Sequence, residues 1–254
     1  MAQLLVRAAK AGDLDECRRL HAVHAYTLHD LRDDDNNALR VAAGNGHFGV
    51  CRWLHATFRL TAADARACYN YALRSAAGGG HLAVCQWLHA TYGLTAADAR
   101  SRNNFALHCA AANGHLGVCQ WLHATYGLTT ADARADNNWA LRGAAGRGHL
   151  AVCRWLHATY RLTAADARAA DNQALCWAAD NGHLGVCRWL HAAYELTAAD
   201  ARADNNYALR YAAANGHLGV CQWLHATFGF AAADWESYVR TAKLPVAAWI
   251  ATLS

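Results

Sequence analysis

The stretch that decides the fold is Gly114–Leu128, GHLGVCQWLHATYGL, because nearly the same run begins at residues 46, 80, 148, 182 and 216. These Gly-His pairs set a period of 34 residues with no insertion between them. Self-similarity at that period is the signature of a stacked array. One unit, residues 135–168, reads ADNNWALRGAAGRGHLAVCRWLHATYRLTAADAR and parses into three helical pieces. The first runs over Asn138–Ala145, with Asn137 or Asn138 as the expected amino-terminal cap. Gly146 and Gly148 mark its stop, since glycine tolerates the positive φ that closes a helix.

The second helix is expected over His149–Tyr160, where Val152, Trp155, Leu156 and Tyr160 recur at the i, i+3, i+4 spacing of a buried stripe. Thr163-Ala164-Ala165-Asp166 then has the form of a capping box, with Asp in place of the longer Glu, and predicts one short helical turn. A unit of this size cannot bury its apolar stripe alone. Neighbours must therefore stack, and the chain reads as an all-α helical solenoid of paired antiparallel helices plus a short third turn, with few or no strands.

The ends of such an array should be wetter than its middle. Set back by one period, residues 1–32 keep Leu5, Ala8, Ala9, Gly12, Cys17, Leu20 and His21, while Asp13, Glu16 and Arg19 replace the later His, Val and Trp. This predicts a capping repeat at 1–32. Six repeats follow at 33–66, 67–100, 101–134, 135–168, 169–202 and 203–236. Residues 237–254, SYVRTAKLPVAAWIATLS, break the pattern into two expected capping helices around Pro245, with Trp249 and Ile250 covering the last repeat.

Composition limits the class. Charged residues are 17% of the 254 and there is one proline, against about 25% charged in ordinary soluble domains. No run of about 18 uninterrupted apolar residues is present to span a bilayer, and the first residues lack the apolar core of a secretory signal. The expectation is a cytoplasmic protein with no membrane partner. A formal net charge of +4 permits nucleic acid without arguing for it.

The run Leu107–Val118, LHCAAANGHLGV, resembles the ankyrin repeat, whose corresponding run is Leu-His-x-Ala-Ala-x-x-Gly-His-x-x-Val. The core of this pattern recurs in all six full units and, with the amino-terminal cap, covers about 230 residues. The unit departs from the family in lacking the Thr-Pro before the first helix and the Gly-Asp finger, and in being one residue longer. Similar Trp-Leu-His and Leu-Thr-x-x-Asp-Ala-Arg units occur in ankyrin-like arrays of protists and of large amoebal DNA viruses. The resemblance implies a noncatalytic protein-binding scaffold or adaptor that works through a concave face and its loops. It also places His115 at the family's inter-helix turn.

Ten cysteines and sixteen histidines raise the question of metal. His115, Cys119 and His123 lie at i, i+4 and i+8 on one helix face, and an i, i+4 pair can chelate zinc. The ends of the trio are about 12 Å apart along the axis, however, so three ligands from one helix cannot converge within the ~2.0 to 2.3 Å that zinc requires. The scaffold reading explains more, with Cys119 as a small hydrophobe and His123 bonded to a carbonyl or a neighbouring repeat. No metal, cofactor, catalytic residue or small-molecule substrate is assigned. The periodic Asp and Arg residues, such as Asp64 and Arg66, form either a ladder between repeats or a solvated face.

Positions that differ among units are free to carry specificity. They are Asn37, Tyr71, Phe105, Trp139, Gln173 and Tyr207, and four residues on, Val41, Ser75, Cys109, Gly143, Trp177 and Tyr211. Their alternating bulk fits volume compensation in a packed layer. It equally fits an aromatic ridge, since Trp and Tyr are enriched at interface hot spots. By the family resemblance, the residues just before Gly-His face the groove, which nominates Asn113, Arg147, Asp180, Asn181 and Asn215. The candidate partner-binding set is Tyr71, Phe105, Asn113, Trp139, Arg147, Gln173, Trp177, Asp180, Asn181, Tyr207, Tyr211 and Asn215. The partner is expected to be a protein, met by a free adaptor or by a subunit of a larger assembly. The alternative is single-stranded RNA stacked on one aromatic per repeat.

Overall fold

In a computed structural model, the structure describes residues 2–231, 234, 235 and 242–253. The chain divides into two compact units, 1–132 and 133–254. Every regular element among the described residues is a helix, and none of these helices is long and apolar enough to cross a membrane.

In the first unit the helices Gln3–Ala11, Asn37–Gly44, Ala67–Gly78 and Ser101–Ala112 stack in that order, each followed by a second helix: Leu14–His24, Phe48–Phe58, Leu82–Tyr92 and Leu116–Tyr126. Alanine dominates the first layer. Ala72, Ala76 and Ala77 are fully buried with Leu73, and side chains this small let successive helices approach closely. The second layer buries Val84, Cys85 and Leu88. Each fully buried Leu contributes roughly 1.5 to 3 kcal/mol relative to exposure. In the second unit the same pairing recurs in Leu150–Tyr160, Ala169–Asp180, Leu184–Tyr194, Ala203–Asn215 and Leu218–Phe228.

The turn between paired helices explains the invariant Gly-His. Gly80 has φ +78°, and its N–H and that of His81 donate to the carbonyls of Ala77 and Ala76, closing the first helix. A Cβ on Gly80 would meet the ring of His115, one on Gly46 the ring of His81, and one on Gly148 the ring of His183. The ring therefore seats on the glycine of the preceding repeat rather than tethering only its own turn. The second histidine does a different job: His89 Nδ1 lies 2.9 Å from the Leu94 carbonyl, and its ring meets Trp121 and Tyr126 of the next repeat edge-on.

The capping box is present as read. Thr163 donates from its N–H and its Oγ1 to Asp166 Oδ2, at 2.7 and 2.9 Å, and opens the short helix Ala164–Ala167. The same aspartates anchor the Asp/Arg ladder, which links Arg32 to Asp64, Arg66 to Asp98, Arg100 to Asp132, Arg134 to Asp166 and Arg168 to Asp200 at 2.7 to 2.9 Å. Of the two readings the sequence left open, the ladder is the one observed.

The asparagine caps are not observed. Asn70 ends a run of three residues with positive φ, Cys68, Tyr69 and Asn70, and the same left-handed turn recurs at 102–104, 136–138, 170–172 and 204–206. No cap hydrogen bond comes from Asn36, and the Oδ1 atoms of Asn36, Asn70, Asn104, Asn138 and Asn172 are buried without a partner among the described residues. Asparagine stands here because it is the residue besides glycine that most readily takes this conformation.

At the amino end, Asp13 caps Leu14–His24 by accepting from Glu16 N–H at 2.8 Å, in the place where later repeats have a histidine. At the other end, Pro245 occupies the first turn of Leu244–Ile250. Trp249 meets His225 and the buried Trp235 edge-on. Lys243 packs against Gly216 where a further repeat would supply a histidine. The other short helix expected near Pro245 falls on residues 236–241, outside the described residues.

Candidate functional site

The left-handed turn that opens a repeat turns its last peptide carbonyls toward the first helix, and in four repeats an arginine on that helix collects them. Arg74 donates from Nε to the Tyr69 carbonyl at 2.8 Å and from Nη2 to the Cys68 carbonyl at 2.9 Å. Arg142 does the same to Asn137 and Asp136 at 2.7 and 2.8 Å. Three consecutive left-handed L-residues cost roughly 1 to 2 kcal/mol each. Two charge-assisted bonds of about 1.5 to 3 kcal/mol offset much of that. Arg40 and Arg210 occupy the same place and reach the Asp35 and Asp204 carbonyls more loosely. Sequence reasoning missed these arginines; the available signal was the Leu-Arg pair that stands three residues after Asn36, Asn70, Asn138 and Asn206.

In the first unit the candidates Tyr71, Phe105 and Asn113 come together. Both rings are 41% exposed, and they flank Arg74, whose guanidinium carbon lies 5.3 Å from the Tyr71 centroid and 5.2 Å from that of Phe105. With Ser75, Gly78, Cys109 and Asn113 they line a cavity of about 180 Å³. Asn113 Nδ2 donates to the Gly78 carbonyl at 2.7 Å. Arg74 is 5% exposed, and burial, then the like charge of Arg102, lowers its pKa.

In the second unit the candidates form two groups. Trp139 and Trp177 meet edge-on at 5.5 Å with Arg142 against both rings, and Arg142 Nη1 donates to Gln173 Oε1. Farther along, Tyr207 and Tyr211 stack at 4.2 Å. Asp180 accepts from Tyr207 Oη at 3.4 Å and from Asn215 Nδ2 at 2.7 Å. Burial, then the Asp180 charge, pushes the Tyr207 phenol up to about 12. Two candidates stand apart from these groups. Asn181 spends its amide on the Trp177 carbonyl of its own helix at 2.9 Å, and Arg147 is exposed just past its helix end.

The paired variable positions divide by role. In three pairs the second residue packs: a Cβ on Gly44, Gly78 or Gly146 would lie 2.9 to 3.0 Å from the Cβ of Ser75, Cys109 or Trp177. The first stays open in Tyr71 and Phe105, with Tyr211, 40% exposed, as the departure among the second positions.

The six repeat cysteines of the second helices are buried hydrophobes. Burial pushes Cys51, Cys85, Cys119, Cys153, Cys187 and Cys221 up to about 12, so these thiols stay protonated. Among the described residues no group of three or more His, Cys, Asp or Glu could hold a metal ion.

Comparison with known proteins agrees with this architecture. The family described as "Ankyrin repeats (3 copies)" matches residues 141–234, and that described as "Ankyrin repeats (many copies)" matches residues 5–55 and 73–123. Among solved structures the chain is similar to an ankyrin repeat family protein from Legionella pneumophila determined by X-ray, at 18% identity and a TM-score of 0.44, over 88% of this chain and 86% of that one. No curated protein matches. With the repeat matched over residues 5–55, 73–123 and 141–234 and every described element helical, the chain belongs to the ankyrin-repeat family.

Proposed function

We propose that this protein is a noncatalytic scaffold or adaptor that binds a partner protein through the face made by its first helices. The recognition set is Tyr71, Phe105, Asn113, Trp139, Arg147, Gln173, Trp177, Asp180, Asn181, Tyr207, Tyr211 and Asn215. Residues 1–32 and 237–254 serve as capping ends to the six repeats between them. The observation that carries the reading is the exposure of Tyr71, Phe105 and Tyr211, at 41, 41 and 40%, on helices whose opposite face is fully buried alanine and leucine. Exposed rings held on a rigid helix make affinity at small ordering cost.

The test is capture from native lysate by the immobilised whole chain, with and without ribonuclease, and with a Tyr71→Ala, Phe105→Ala, Tyr211→Ala variant. A discrete protein that survives ribonuclease and is lost with the variant supports the proposal. Loss on ribonuclease treatment would transfer the face to RNA, and capture indifferent to the variant would put binding elsewhere.

A further inference from the structure

Arg74 and Arg142 hold equivalent positions, each collecting two carbonyls of a left-handed turn and each lying against two aromatic rings. They differ in what meets the remaining nitrogen. Arg142 Nη1 donates to Gln173 Oε1, 31 residues on. The residue 31 positions after Arg74 is Phe105, which has no acceptor, and Arg74 Nη1 makes no hydrogen bond among the described residues. Arg74 lines the cavity of about 180 Å³ together with Tyr71 and Phe105, and no carboxylate lines it. Arg40 stacks on Tyr71 as well, its guanidinium carbon 4.8 Å from the centroid.

A buried cation whose only acceptors are neutral carbonyls is under-compensated, since desolvation costs a charge far more than a neutral group. The volume is below the roughly 300 to 1,000 Å³ of small-molecule sites and suits one side chain. We infer that this cavity is a socket for a single acidic side chain of the protein partner, an aspartate or glutamate whose carboxylate accepts from Arg74 Nη1 while its methylenes lie between Tyr71 and Phe105. In the second unit the chain supplies its own neutral acceptor, Gln173, to Arg142. This inference rests on the partner-binding reading above and adds the chemistry of one anchor.

The experiment pans a random heptapeptide phage library against the whole chain, then measures synthetic copies of the recovered peptides by fluorescence anisotropy. Wild type is expected to enrich Asp or Glu at one fixed position. Exchange of that residue for Gln or Asn should weaken binding about tenfold or more, as loss of a charge-assisted bond does. The decisive variant is Phe105→Gln, which installs the acceptor seen at Gln173 without disturbing the arginine's hold on its turn. It should abolish the preference for the acidic peptide over its amide, and Arg74→Gln, checked for native helicity, should do the same. Recovered peptides with no acidic position, or an acidic preference intact in Phe105→Gln, would overturn the socket and leave the binding face standing. Failure to retain any peptide, or equal retention by Tyr71→Ala, Phe105→Ala, would overturn the binding face itself.

Discussion

Arg168 and Asp200 meet through two parallel hydrogen bonds, Nε to Oδ1 at 2.7 Å and Nη2 to Oδ2 at 2.9 Å, across 32 residues of a chain that repeats every 34. The same carboxylate accepts from Thr197 N–H and Oγ1 at 2.7 and 2.9 Å. One aspartate therefore caps its own helix and clamps the repeat before it. Asp200→Ala loses both functions and should cost about 2 to 3 kcal/mol, whereas Arg168→Ala leaves the carboxylate bonded to Thr197 and should cost about 1. Urea midpoints of the two variants and their double mutant check this; equal costs would mean that the clamp alone matters.

The ladder makes stability acid-sensitive. The Arg168 hydrogen bonds, against the opposing effect of burial and with help from Thr197, hold Asp200 at about 2. Burial raises Asp132, but the bonds from Arg100 and Thr129 outweigh it and hold that group at about 2 as well. These folded values lie below the unfolded value of about 3.9, so the unfolded chain binds more protons between them. The stabilisation is complete above about pH 4 and is lost as pH falls toward 2. A separate, milder loss is expected below about pH 6.5, because burial and then the His217 charge lower the His183 pKa despite its bond to the Gly146 carbonyl. Urea midpoints from pH 7.5 to 3 should decline in both windows, and His183→Gln should flatten the upper one.

Two glycines with positive φ should respond differently to alanine. Gly148 has φ +82°, and an added Cβ would sit 2.6 Å from His183 Nδ1. Strain and overpacking together predict a cost of about 2 to 4 kcal/mol. Gly229 has φ +64° with nothing within 4 Å, and the chain itself places Arg161 and Glu195 at this point of other repeats with φ 50° and 49°. Gly229→Ala should cost about 1 kcal/mol. Thermal denaturation separates the two, and similar losses would show that backbone conformation alone governs both turns.

Thiol chemistry should follow burial. Cys68 and Cys109 are half-buried, while the other described cysteines are buried. Brief treatment of native protein with a maleimide should label Cys68 and Cys109 and leave the six repeat cysteines protected until denaturant is added. Peptide mapping reads this directly, and early labelling of Cys119 would reveal local opening of the second-helix layer.

Much of the fold was legible because stacking repeats its demands every 34 residues. Val152, Leu156 and Tyr160 marked the second helix, and Thr163 with Asp166 marked the capping box. The candidate site was legible in part. Tyr71, Phe105 and Asn113 were found as variable positions, but Arg74, buried among them, was not. Asn70 and its equivalents were read as caps. The recurrence of asparagine at this place in every repeat, a residue type that tolerates positive φ, was the clue to a left-handed turn.

By itself the sequence determined the period, the order of helices and the apolar stripes, since these depend on local spacing and on the need of each short unit to bury its face against a neighbour. Only the tertiary structure decided which residues close the interfaces. It turned a periodic Asp and Arg into a clamp, seated turn histidines such as His81 and His183 on the glycine of the repeat before them, and left Arg74 without the acceptor that Gln173 gives Arg142. The reason is physical: spacing along a chain specifies which face a residue is on, whereas hydrogen-bond partners and open space depend on the backbone of another repeat.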